Sequence, residues 1–118
     1  MDPHRSERMS EALREELDEL IEYEMADPRV SGITVTEVWV SPDRKKAQVR
    51  LSMPPDEEFR KEALAALERA KGFLKREVAL RLQMFRIPDL HFEADVAAGI
   101  TARMDHIMKR VKKGRPRG

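Results

Sequence analysis

One segment limits the possible folds more than any other: K-A-Q-V-R-L-S-M, Lys46 to Met53. Ala47, Val49, Leu51 and Met53 alternate with Lys46, Gln48, Arg50 and Ser52. Successive side chains of a strand face opposite ways, so this is a half-buried strand with one apolar and one polar face. The preceding I-T-V-T-E-V-W-V-S, Ile33 to Ser41, is rich in β-branched residues and predicts a second strand. Pro42 to Lys45 supplies a turn, and the pair reads as a hairpin. Leu90, Phe92, Ala94 and Val96 alternate with His91, Glu93 and Asp95, which predicts a third strand with one polar face. A chain of 118 residues suits one core. Helices therefore cover one face of a three-stranded sheet and leave the other to solvent. Trp39 would lie on the open face if Val38 and Val40 point at the helices, but burial in the core is the expected outcome.

The helices follow from apolar spacing. Met9, Leu13, Leu17, Leu20 and Ile21 form one stripe between about Ser6 and Ala26, stopped by Asp27-Pro28. Asp56 can cap the next helix, with Glu57 and Glu58 favourably placed at the positive end of its dipole. Phe59, Ala63, Leu67 and Ala70 make its buried stripe. Gly72 then interrupts E-R-A-K-G-F-L-K-R-E-V-A-L-R-L at a cost of about 1 kcal/mol relative to alanine. That cost is read as a joint between two helices. A second stripe of Leu74, Val78, Leu82 and Phe85 follows, ended by Pro88. Ile100, Met104, Ile107, Met108 and Val111 predict a last amphipathic helix. The expected order is α-β-β-α-(kink)-α-β-α in a single domain over residues 1–112, with a basic disordered tail over 113–118.

Charge is segregated along the chain. Residues 1–68 hold 10 Lys and Arg against 17 Asp and Glu, whereas residues 69–118 hold 13 against 5. With the basic half ending in K-R-V-K-K-G-R-P-R-G, this points to a polyanionic partner. Arg69, Lys71, Lys75, Arg76, Arg81 and Arg86 surround the expected joint, and each that reaches a phosphate adds salt-sensitive affinity. A glycine there lets ribose or phosphate approach the backbone. Lys109 and Arg110, at the start of the terminal basic run, are further RNA-facing candidates. The six aromatic residues sit mostly at apolar positions, which disfavours base stacking on the sheet.

Catalytic and metal motifs do not emerge. His4, His91 and His106 lack metal-ligand spacing, and no phosphate-binding glycine loop or nucleophile elbow is present. The chain has no cysteine, which fits a reducing cytosol, and no apolar run near the roughly 20 residues a membrane span needs. A non-enzymatic, cytoplasmic protein is expected, monomeric and without cofactor, metal or small-molecule substrate.

The sequence resembles the ribosome-binding factor A family. The resemblance runs from about His4 to Val111, on D-P-R at Asp27–Arg29, T-V-T-E-V-W-V-S-P-D at Thr34–Asp43 and A-Q-V-R-L-S after it. A-K-G-F at Ala70–Phe73, P-D-L-H-F-E-A-D at Pro88–Asp95 and G-I-T-A-R-M at Gly99–Met104 complete it. It implies an α+β, type-II KH-like domain in which an A-x-G kink replaces the usual G-x-x-G loop, here Ala70-Lys71-Gly72. It also implies a role in ribosome biogenesis: binding to 16S rRNA of the free, immature 30S subunit, help in processing the 5′ end of that rRNA, and a link to cold adaptation. Ala70, Lys71, Gly72, Lys75 and Arg76 are the RNA-facing residues it suggests. Relatives commonly carry arginine shortly before the proline, where this chain has Gln83 and Phe85 beside Arg86. The competing reading is a protein-docking module of a ribonucleoprotein, whose acidic first helix meets a basic partner and whose RNA contacts are incidental.

Overall fold

The computed structural model describes residues 3–114, with side-chain surroundings for residues 7–105, 107 and 108. Helix α1 (Pro3–Glu19) continues into a π-helical turn over Leu20–Glu24, and a 3-10 turn over Pro28–Val30 leads to the hairpin. Strands β1 (Val35–Val40) and β2 (Lys46–Ser52) are followed by helix α2 (Glu57–Leu82), strand β3 (Asp89–Asp95) and helix α3 (Val96–Gly114). The result is an α+β fold around a mixed sheet, consistent with a KH-like domain. In the sheet order β1-β2-β3, β1 runs antiparallel to β2. β3 runs parallel to β2, and α2 is the crossover that parallel pairing requires.

The apolar side of the β2 alternation is realised, with Ala47, Val49, Leu51 and Met53 each 0% exposed, whereas Ser52, expected on the polar face, is buried with its hydroxyl bonded to Thr34. They meet Leu13, Leu17 and Leu20 of the first helical segment and Ala63, Leu67, Leu74 and Val78 of α2 in one core. Strand β1 reaches that core only through a bulge. Its register slips between Val35 and Glu37, so Thr36 and Glu37 both face outward before Val38 and Val40 return inward. The Thr36 hydroxyl donates to the Arg50 carbonyl at 3.2 Å across the irregularity. With Val38 and Val40 inward, Trp39 must point out, and it is 56% exposed. This corrects the expected core burial of the indole.

No joint divides α2. The helix is continuous from Glu57 to Leu82 and passes through Gly72, so the body has three helices rather than four. The physical reason is the phase of the apolar stripe. Ala63, Leu67, Ala70, Leu74 and Val78 recur every three or four residues straight across the glycine. Burying Leu74 and Val78 contributes about 1.5–3 kcal/mol each, more than the roughly 1 kcal/mol that Gly72 costs. The Asp56 carboxylate accepts from the Phe59 N–H at 3.3 Å, as its capping position predicts. The other end differs from expectation. Gln83 adopts a left-handed conformation with φ 52°, ending the helix five residues before Pro88 and throwing Phe85 off the buried stripe.

Helix α3 starts directly after β3, where the Asp95 carboxylate accepts from the Ala98 N–H at 3.0 Å. Gly99 makes this possible. A Cβ there would lie 2.0 Å from the Met53 carbonyl oxygen, so the helix lies against the backbone at the end of β2. The helix extends to Gly114, so the tail expected from residue 113 begins inside it, and residues 115–118 lie outside the described residues. None of the described helices is long and apolar enough to cross a membrane.

Candidate nucleic-acid interface

Parallel pairing decides where cations meet. It starts at Lys46 opposite Asp89, and the Asp89 N–H donates to the Lys45 carbonyl at 2.8 Å. The β1–β2 turn therefore lies beside the connection from α2 to β3. Asp43 shapes this turn by accepting from the Ser41 hydroxyl at 2.6 Å and the Lys45 N–H at 3.0 Å. Those bonds, the hydroxyl's first, hold its carboxyl below the usual range. Arg44 occupies the left-handed region, with φ 60°.

Between the turn, α2 and the connection opens a cleft of about 550 Å³ lined by Arg44, Lys45, Lys75, Arg76 and Arg86, with Phe85 among them. Asp89 is the one carboxylate in its lining. It is already engaged, 3.1 Å from His91 Nε2 and 3.9 Å from Lys71 Nζ. Among the described residues, none of the five lining cations forms an ion pair. Five positive groups against one committed carboxylate give a focused positive potential, able to hold several phosphates of a chain.

The A-K-G residues point three ways. Ala70 is half-buried and lines a separate hollow with Arg29, Arg69 and Phe73. The D-P-R turn borders that hollow. There the Asp27 carboxylate takes both the guanidinium and the backbone N–H of Arg29, which lowers its pKa to about 2. Lys71 turns towards β3 and is held by Glu68 at 3.1 Å and by Asp89, with its ammonium 5.9 Å from the centre of the Phe92 ring. Gly72 is exposed. A Cβ there would lie 3.5 Å from Arg76 Nη1, an ordinary contact.

Of the other candidates, Lys75, Arg76 and Arg86 meet in the cleft and Arg81 does not. The Arg81 guanidinium is 3.4 Å from Glu16, 3.7 Å from Glu19 and 3.7 Å from Glu24, tying the end of α2 to the first helical segment. Lys109 and Arg110 belong to α3, but their side chains lie outside the described residues. Sequence reasoning missed Arg44 and Lys45, which it assigned only to a turn. Their signal was the run Arg44-Lys45-Lys46 inside an otherwise acidic half. Phe85 was missed because it was placed on the buried stripe. Among the described residues, no three His, Asp or Glu side chains gather to hold a metal.

Because no native contact needs the absence of a side chain at position 72, Gly72→Ala is expected to stabilise the free protein by up to about 1 kcal/mol. The thermal unfolding midpoint should then rise, by up to about 4 °C. A lower midpoint would mean that the glycine serves the fold itself.

Comparison with known proteins agrees with this architecture. The family model described as "Ribosome-binding factor A" matches residues 5–108. A protein of that name from Solibacter usitatus is 46% identical over 117 residues, covering 99% of this chain and 95% of the relative. The crystal structure of ribosome-binding factor A from Thermus thermophilus superposes with a TM-score of 0.66 at 32% identity, over 75% of this chain and 94% of that one. A homology model of the Thermus thermophilus factor, fitted into the cryo-EM map of its complex with 30S, gives a TM-score of 0.59 at 33% identity, over 82% of this chain and 98% of that one.

Proposed function

Since the chain belongs to the ribosome-binding factor A family, we propose that it binds the immature 30S subunit through the cationic cleft and assists maturation of the 16S rRNA 5′ end without catalysing it. The observation that carries this reading is the meeting of Arg44, Lys45, Lys75, Arg76 and Arg86 from three separate chain segments around one opening. Phosphates entering there displace counterions, which supplies affinity without any bond being made or broken. α2 carries Lys75 and Arg76 on an uninterrupted helix, so the cleft acts as a rigid splint that holds an rRNA segment in one conformation and then leaves. The protein works as a cytoplasmic monomer, and cold adaptation fits such a role, since low temperature stabilises misfolded RNA.

The test is a salt titration of binding to immature 30S particles. Each phosphate contact contributes about 0.7–0.9 to the slope of log affinity against log salt. Changing Arg44, Lys45, Lys75 and Arg76 together to Gln is expected to flatten that slope by about three units. An unchanged slope with association intact would favour the protein-docking module instead.

A further inference from the structure

Phe85 is exposed at 106% of its reference area, more than any other large apolar side chain described. It stands in the cleft among five cations. Among the described residues no cation sits over its ring, whereas Lys71 does approach the ring of Phe92. Isolated exposed apolar residues are common and need no explanation. This one differs in placement and in how it is held. The left-handed Gln83 stops α2, and the Met84 N–H donates back to the Ala79 carbonyl at 3.0 Å. The chain thereby changes direction, so Phe85 leaves the stripe on which Leu74 and Val78 are buried, while Ile87 returns to the core.

A wholly solvated aromatic ring inside a cationic cleft has the chemistry of a single-stranded nucleic-acid site: positive groups follow the phosphates while a π-face accepts a base. Duplex RNA offers no free base face, so the ring would gain nothing from it. Building on the cleft as the RNA-binding surface, we propose that Phe85 stacks on an unpaired base of RNA. The phosphates flanking that nucleotide lie on Lys75, Arg76, Arg44 and Lys45. The cleft then selects an unpaired rRNA segment over a helix, with little preference among bases, because every base has a π-face.

The experiment measures binding of a short fluorescein-labelled single-stranded RNA, the same RNA with abasic positions, and an RNA hairpin stem of equal charge. Stacking of one base is expected to show as a loss of roughly 5- to 100-fold in affinity on Phe85→Ala, with the salt slope unchanged. The wild-type protein should bind the abasic strand about as weakly as Phe85→Ala binds the intact one, and Phe85→Trp should restore binding. In a Trp39→Phe background, the fluorescence of that new tryptophan should be quenched by the intact strand. The solvated position predicts an unchanged unfolding midpoint for Phe85→Ala, which separates lost binding from lost fold. Equal binding of intact and abasic strands, or of wild type and Phe85→Ala, would overturn the stacking proposal. Loss on Phe85→Ala of binding to 30S particles but not to the strand would also overturn it, by assigning the ring to a protein partner. The cleft itself is judged separately, because Lys75→Gln with Arg76→Gln should flatten the salt slope whether or not Phe85 stacks.

Discussion

Gly99→Ala is expected to destabilise the protein by roughly 2–4 kcal/mol, the largest single-site effect foreseen for a change of one methyl group. The added Cβ would lie 2.0 Å from the Met53 oxygen, 2.4 Å from its carbonyl carbon and 2.8 Å from its nitrogen. These are backbone atoms, so no rotamer change relieves the clash. The Met53 side chain is 0% exposed, and its N–H donates to the Asp95 carbonyl at 3.2 Å, which fixes the strand end on both sides. Helix α3 must therefore move, and the Asp95 bond to the Ala98 N–H goes with it. Overpacking of this kind costs about 1–3 kcal/mol, and a lost helix cap adds about 1. Urea or thermal unfolding measures it, with a fall in midpoint of roughly 10–20 °C. Gly72→Ala is the natural control, since it should move the midpoint the other way. An unchanged midpoint for Gly99→Ala would mean that α3 does not lie against β2 in solution.

Reversing two charges in the cleft should produce the largest functional effect. Lys75→Glu with Arg76→Glu is expected to lower affinity for immature 30S particles about a hundredfold at low salt. A hydrogen bond to a charged group contributes about 1.5 kcal/mol or more, and 1.4 kcal/mol is tenfold, so losing two reaches that figure before any repulsion is added. Neither residue forms an ion pair with a described residue, so the unfolding midpoint should stay within a few degrees. Arg81→Gln makes the informative comparison. Its guanidinium lies on Glu16, Glu19 and Glu24, so the change should leave 30S affinity intact and loosen the packing of α2 on α1 slightly. If Arg81→Gln weakened binding as much as the double reversal, the binding surface would have to extend round α2 to the side that meets the first helical segment.

The sheet was legible because a strand carries its environment in its own alternation. Lys46 to Met53 declared the apolar face, and Ala47, Val49, Leu51 and Met53 are all buried where that pattern put them, whereas on the polar side Ser52 is buried against Thr34. Helix breaks were harder. At Gly72 two local signals competed, a propensity cost of about 1 kcal/mol and a stripe that stays in phase across it, and the stripe wins because it is buried. At Gln83 nothing local announced a left-handed residue, so the stripe was extended to Phe85 and the ring was assigned to the wrong environment. The cleft was half visible. Lys75, Arg76 and Arg86 belong to one basic stretch, but Arg44 and Lys45 join them only through the pairing of Lys46 with Asp89, residues 43 apart in the chain. The ion pairs of Arg81 were hidden for the same reason: its carboxylate partners come from the first 24 residues.

The central strand finds its two neighbours on different schedules. β1 reaches β2 across the five residues 41–45, whereas β3 waits for a 26-residue helix. Contacts distant in sequence close late, since loop entropy must be overcome before pairing returns anything. During synthesis the hairpin can therefore zip as soon as it emerges, while one edge of β2 stays open until Asp95 has left the ribosome. The cationic cleft is assembled only by that later pairing, because it alone brings Arg44 and Lys45 beside Lys75, Arg76 and Arg86.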